Sequence, residues 1–493
     1  MVLNNLSEIS RLEYFSNMYT SLGMEAFDQT QYKRAFVFLL EALNKIEEMK
    51  LQLSENSEQR FAVQELEATK ADIYKKVFHI LKTFGDESWD NQDYVTAIVY
   101  FEEALKLNSN DANLCNTIAF MYKNVGYKHQ NLDKQIYYLE KAVELDPNHL
   151  QAIRSLAVTY PLADRNQEAV EYFHKLFELG AVPDDYMAYS QLKIQLGDFK
   201  EGWKHYDSRF SIAYNPHEYP EIDKPKWEGQ VISDKTLLVH YEFGFGDSIQ
   251  FSRYIEQAKP LAKKIIFVVQ DSLVDLFKNN LKDIEVVGFS TQLEELSFDY
   301  YIMLMSMPYV LNATVENIPS SVPYFIADEK KIQEYKDKFF DNDCFKIGIS
   351  YNGSKFGNAF RDMLLKDFYP LTKIKNVKIY SFQKGFGSDQ LYDLPEGIEI
   401  IDLGQTFDDF SDTAAAMANV DLFVGSDNGV FHVAAAMGKK TFLLLSKYSE
   451  WRWFYDEETT PWYDSVKIFK KQSEDESWDL QIQRVFEVLT KQL

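Results

Sequence analysis

Cysteine is almost missing from this chain: Cys115 and Cys344 are its two, far apart and in no CxxC spacing, among 493 residues. That excludes a disulfide framework and a cysteine-based zinc site, and it fits a reducing cytoplasm. Positive charge is also scarce, with 52 Lys and Arg against 76 Asp and Glu, a net charge of -24. Such a surface repels phosphate backbones and anionic headgroups, so neither nucleic acid nor a membrane surface is expected as a partner. Nowhere do 18 apolar residues run uninterrupted, and the start, MVLNNLSEISRLEYFSNMYT, has no basic stretch followed by an apolar core. No spanning helix and no export signal are expected. No spaced His, Cys or carboxylate cluster offers a metal site, and the DxD string Asp341, Asn342 and Asp343 falls in a turn before a strand rather than after one, so no metal is assigned to it. What the chain has is apolar content, 46% of its residues, enough for two to four domains with large cores.

Residues 1 to about 210 carry helical periodicity and a repeat. QDYVTAIVYFEEALKLNSND, DKQIYYLEKAVELDPNH, NQEAVEYFHKLFELG and GDFKEGWKHYDSRF align, and QYKRAFVFLLEALNK is a further copy. Their small-residue slots fall at Ala97, Gln135, Ala169 and Gly202, spaced 38, 34 and 33. A period near 34 marks tetratricopeptide helix pairs, in which small residues let helices approach and aromatics such as Tyr100, Phe101, Tyr172 and Phe173 fill the space between pairs. A superhelix of this kind presents a groove suited to a protein partner. Residues 211–230, with Pro216, Pro220 and Pro225, read as an ordered linker.

From Lys235 the pattern changes to short apolar runs alternating with helical stretches: TLLVHY, KIIFVV, YYIMLMS, FKIGISY, KIYSF, IEIIDL, VDLFVG and KTFLLL. Alternation of this kind implies parallel sheets in βαβ units. Two small α/β domains are expected, over 231–330 and 331–475, facing each other across a cleft, with a closing helix over 476–493. The fold class is therefore α plus α/β.

Two strand-to-helix junctions carry the chemistry. In LLVHYEFGFGDSIQFSRY, Leu237 to Tyr254, a strand breaks into a loop where Gly244 and Gly246 permit backbone shapes a β-carbon would forbid, and the loop ends on Asp247. Asp247 either caps the helix or serves as a base at the carboxyl end of a strand, where ligands bind in open α/β sheets. In VDLFVGSDNGVFHVAAAMG, Ser426, Asp427, Asn428 and Gly429 form the turn ahead of a helix start, a place that binds phosphate, and His432 follows on the first turn. Asn352, Gly353 and Ser354 follow another strand, Arg361 could pair with a phosphate or carboxylate, and Gln383 and Lys384 sit at a strand end. WRWF and TPWY read as aromatic packing of a long loop, with Arg452 either between rings or reaching the cleft.

EFGFGDSIQFSRY, SDNGVFHVAAAMG and SEWRWFYDEETTPWYD occur in this order, after GWKHYDSRF and KWEG. Together they resemble the bacterial tetratricopeptide glycosyltransferases whose catalytic half is related to the lipopolysaccharide heptosyltransferases. The resemblance implies a GT-B pair of Rossmann-like domains, with the acceptor held mainly by the first and the nucleotide sugar by the second. It makes Asp247 the general base of an inverting transfer, with Gly244 and Gly246 in the acceptor loop. Asn352, Gly353, Arg361, Gln383, Lys384, Ser426, Asp427, Asn428, Gly429 and His432 become the donor-binding set. Relatives usually have Thr at Asn428 and a small residue at Phe431, departures that touch the donor's identity, and Ser at Met363, a departure that weakens the match around Arg361.

The expected function is transfer of a sugar from a nucleotide sugar, without metal or other cofactor, to a Ser or Thr hydroxyl of a protein recruited by the repeats. Flagellin-modifying members are one comparison. The alternatives are a heptosyltransferase-like enzyme acting on a glycan, and a non-catalytic repeat scaffold with a decayed GT-B half.

Overall fold

The computed structural model describes residues 7–53, 60–125, 130–213, 219–319, 322–353, 363–454 and 458–493. The chain divides into two compact units, Met1–Gly180 and Ala181–Leu493.

In the first unit helices pair in order: Glu8–Asp28 with Tyr32–Leu53, Arg60–Asp90 with Tyr94–Leu107, Ala112–Asn124 with Leu132–Leu145, and Leu150–Thr159 with Asn166–Leu179. This is the expected helical repeat. Ala97 and Ala169 are fully buried, as are Phe101 and Phe173. A β-carbon on Gly85 would lie 2.5 Å from the Phe101 ring, so the glycine lets that ring sit against the neighbouring helix. Gln135, the odd residue among the small slots, donates from Nε2 to Thr159 Oγ1 at 3.3 Å, which satisfies a buried amide.

A fifth helix pair, Pro183–Gln195 and Phe199–Tyr206, continues the period but lies in the second unit, where Phe199, Trp203 and Tyr206 join the same core as Trp227 and Phe251. The division at Gly180 therefore comes earlier in the chain than the boundary expected at 210, because these aromatics pack on the α/β part. Of the expected linker, Pro216 lies outside the described residues, while Lys226 bridges beside Tyr301 and Trp227 is buried. Gly229 has φ +90°, and a β-carbon there would meet Val310 O at 2.4 Å.

The second unit holds two all-parallel sheets. The first has strands β1 (Ile232–His240), β2 (Ala262–Val269), β3 (Glu285–Gly288) and β4 (Tyr300–Met303) in the order β3-β2-β1-β4. The second has β5 (Phe345–Ser350), β6 (Val377–Ser381), β7 (Ile400–Asp402), β8 (Leu422–Ser426), β9 (Thr441–Leu445) and β10 (Val466–Lys470) in the order β10-β9-β8-β5-β6-β7. β8 and β9 are buried along their whole length, as strands covered on both faces must be. The closing helix, Trp478–Gln492, places Ile482, Val485 and Leu489 in a core with Ile347, Leu422 and Val424 of the second sheet.

Chain order reverses direction beside β1 in the first sheet and between β5 and β8 in the second. Such switch points open a crevice at the carboxyl ends of the strands. Asp247 follows β1, Asn352 follows β5 and Asn428 follows β8, so the connectivity alone brings the candidate residues to crevices.

Candidate active site

A cleft of about 960 Å³ lies between the two sheets. Its walls include Gly244, Gly246 and Asp247 from the first, and Asn352, Gly353, Gln383, Lys384, Asp427, Asn428, Gly429 and His432 from the second. Ser426 is fully buried just behind, and Arg361 and Ser354 lie outside the described residues.

The loop after β1 differs from its expected form. The helix begins at Phe245, with Gly244 as N-cap at φ -86°, and the residue in the left-handed region is Phe243, at φ +56°. Neither Gly244 nor Gly246 is needed for an unusual backbone shape. Gly246 is instead needed for space: a β-carbon would stand 2.6 Å from His432 Cδ2. Gly246→Ala should therefore push the two sheets' loops apart and lower stability by about 1–3 kcal/mol, read as a fall in melting temperature. Gly429 serves the same close approach, since its β-carbon would lie 3.1 Å from Phe245 Cβ.

Asp247 sits on the first turn rather than at the N-cap. Its Oδ2 accepts the Gly244 N–H at 3.0 Å and its Oδ1 accepts Arg452 Nη2 at 2.8 Å. It is cap and cleft carboxylate together, with its side chain 14% exposed. Arg452 also donates from Nη1 to Gln250 Oε1 at 2.9 Å and pairs with Glu450 at 3.1 Å. Burial works against its charge, but Asp247, Glu450 and Asp427 outweigh that and hold its pKa well above the ordinary guanidinium value. Its guanidinium also lies over the Trp451 ring at 5.1 Å, so it both sits against an aromatic ring and reaches the cleft.

On the opposite wall the side chains spend most of their polar atoms on the protein. Gln383 Oε1 accepts the N–H of Tyr351 and Asn352, at 3.1 and 3.0 Å, and its Nε2 donates to Asn352 O and Phe386 O, at 3.2 and 2.8 Å. It shapes the loop after β5. Lys384 is exposed, and its ammonium donates to Phe407 O. Asn428 caps the helix Gly429–Ala436 by accepting Phe431 N–H at 3.1 Å, and its Nδ2 donates to Ser350 Oγ at 2.9 Å, tying the ends of β8 and β5. The N–H groups of Gly429 and Val430 precede the first helical bond and have no partner within the helix.

Asp427 and His432 face each other. Asp427 Oδ1 lies 3.2 Å from His432 Nε2, and its Oδ2 accepts Trp453 Nε1–H at 2.8 Å. His432 Nδ1 lies 2.8 Å from the Tyr463 hydroxyl. A carboxylate can only accept, so Nε2 carries the imidazole proton and Nδ1 accepts from Tyr463. Burial depresses the pKa of His432, with Asp427 opposing that in part. The unfolded chain then binds a proton that the folded chain refuses, so stability is present above the ordinary pKa near 6.5 and is lost as pH falls below it. His432→Gln should flatten the drop in melting temperature between about pH 7 and 5, measured in parallel with the wild type.

The turn Asp341 to Asp343 holds no such convergence: Asn342 donates to the Tyr380 hydroxyl and accepts Cys344 N–H. Arg452 and Glu450 line the cleft, and Trp453 and Tyr463 hold Asp427 and His432; the sequence allowed Arg452 a place at the cleft, read the aromatics as loop packing and did not single out Glu450. Their signal was an arginine flanked by tryptophans, within the segment SEWRWFYDEETTPWYD that contributes to the resemblance.

Residues 395–489, which contain β8 and the helix after it, match a known family. The match is to glycosyltransferase family 9 (heptosyltransferase). Protein FlbA of Caulobacter vibrioides is 26% identical over 404 residues, covering 76% of this chain and 66% of that protein. The chain thus spans just under two thirds of that relative's length. The family 9 glycosyltransferase structure from Veillonella parvula is 14% identical, covering 54% of this chain and all of that one, with a TM-score of 0.41. The E. coli ADP-heptose lipopolysaccharide heptosyltransferase II is 15% identical, covering 52% of this chain and 98% of that one, with a TM-score of 0.39. The family 9 match makes residues 395–489 glycosyltransferase-like, in a chain whose amino-terminal part is a helical repeat. Among the described residues no helix is long and apolar enough to cross a membrane.

Proposed function

We propose that the chain is an inverting glycosyltransferase that moves a sugar from a nucleotide sugar to a Ser or Thr hydroxyl of a protein bound by its repeats. One observation carries this reading: the Asp247 carboxylate and the helix start at Gly429 line the same cleft at facing switch points. The acceptor hydroxyl attacks the anomeric carbon from the Asp247 side and gives its proton to that carboxylate. The bond from the anomeric carbon to phosphate breaks, and its electron pair leaves with the nucleotide. A carboxylate within hydrogen-bond reach of the attacking hydroxyl can take that proton as the attack proceeds. The N–H groups at Gly429 and Val430 and the helix dipole lie where a phosphate can be held, and charge on a leaving group is best stabilised by such preorganised donors. No metal is assigned a role in this reading. Cytoplasmic location goes with the scarcity of cysteine, and a recruited protein goes with the repeat, because tethering raises the acceptor's effective concentration. The family match favours one second reading, a glycan hydroxyl as acceptor.

A panel of nucleotide sugars tests the proposal. One donor should raise the melting temperature and release its nucleotide slowly in water; no response to any donor would reject it. With the donor known, a chain lacking residues 1–180 should still hydrolyse it yet lose transfer to protein. Unchanged protein glycosylation would reject the recruiting role.

A further inference from the structure

The guanidinium of Arg452, from the loop after β9, grips the helix Phe245–Phe251 of the first sheet at two points. Nη2 donates to Asp247 and Nη1 to Gln250, three residues further along the same helix. The other Asp247 oxygen accepts Gly244 N–H. With a donor on each oxygen the carboxylate cannot rotate about its last bond without losing both. Each carboxylate oxygen offers two lone pairs, so each keeps one for a substrate hydroxyl. Arg452 is itself fixed: its side chain is 9% exposed, its guanidinium lies over the Trp451 ring, and its carbonyl accepts Trp462 Nε1–H at 2.9 Å. A planar fork of this kind sets direction as well as distance, which the flexible point charge of a lysine does not.

We propose that Arg452 is a positioning residue for the transfer, holding the Asp247 carboxylate in the one orientation that presents a lone pair to the acceptor hydroxyl. This rests on the reading of Asp247 as the base. Arg452 exchanges no proton: the hydroxyl proton passes to Asp247, the new bond joins the acceptor oxygen to the anomeric carbon, and the old bond's electrons go to the phosphate. Its contribution is the geometry of the attack, where a displacement of about 1 Å costs on the order of 100-fold.

The test is a double-mutant cycle on nucleotide release from the donor that the panel identifies, using Asp247→Asn, Arg452→Lys and the double variant. Arg452→Lys should lower kcat about 100-fold with donor KM within about twofold of wild type. The double variant should be no slower than Asp247→Asn alone, because a residue that acts through another has nothing left to position. Effects that multiply in the double variant, or a raised KM with kcat intact, would overturn the role. Circular dichroism checks folding, and if the lysine variant unfolds the cycle is run with Arg452→Gln. A wild type that neither binds nor turns over any donor removes the proposed function and this role together. A slow Asp247→Asn with multiplying effects removes this role alone.

Discussion

Asp247→Asn should slow sugar transfer by about 100- to 10,000-fold, the range a positioned general base contributes. The substitution keeps the shape of the side chain and one acceptor oxygen, so the Gly244 N–H can still be capped. It removes the anion that meets Arg452, but Glu450 stays paired with that guanidinium at 3.1 Å. A modest fall in melting temperature is therefore expected, with donor affinity close to wild type. The split matters: a lost kcat with retained donor binding belongs to a base, whereas loss of both would point to a collapsed cleft. Turnover at the wild-type rate would reject Asp247 as the base.

Breaking the Arg209–Glu242 pair should give the largest loss of stability in the second unit, about 3–5 kcal/mol for either Arg209→Ala or Glu242→Ala. Both side chains are sealed from solvent, at 1% and 0% exposure, and they meet in a two-bond fork at 2.8 and 2.9 Å. Arg209 also donates to Asp207 Oδ1, Tyr206 O and Ser306 Oγ, while Glu242 accepts Met305 N–H at 2.8 Å. Removing one member leaves a buried charge and several orphaned partners, which costs far more than the intact pair contributes. The double variant Arg209→Met with Glu242→Leu should therefore be less destabilised than the two single variants summed, a sign that desolvation dominates. Chemical denaturation measures it, and additive losses would count against the argument. Glu242 stands five residues before Asp247, so activity should fall in the single variants too.

β8 and β9 could be read from sequence because burial along their whole length leaves an unbroken apolar run. All eight expected runs became strands, although YYIMLMS ends its strand at Met303 and turns into a short helix. The two strands missed, EVVG in β3 and VKIFK in β10, lie at sheet edges and carry polar residues that break or bracket a short apolar run, whereas the edge strands β4 and β7 sit in longer apolar runs and were found. The site divides in the same way. Strand, loop and helix lie within about twenty residues at Asp247 and again at Asn428, so local pattern was enough to single them out. Gly246 was singled out for the wrong reason, since its neighbour His432 is 186 positions away in sequence.

By itself the sequence determined the helical repeat, the alternation that builds two parallel sheets, and the two strand-to-helix junctions that carry Asp247 and Asn428. All of these follow from period, burial and turn chemistry within short windows. Only the tertiary structure decided what holds them. Arg452 reaches Asp247 across 205 residues, Trp453 and His432 share Asp427, and Arg209 locks Glu242. No local rule sets such pairs, because each is formed where two elements distant in the chain bury polar groups that must then satisfy one another.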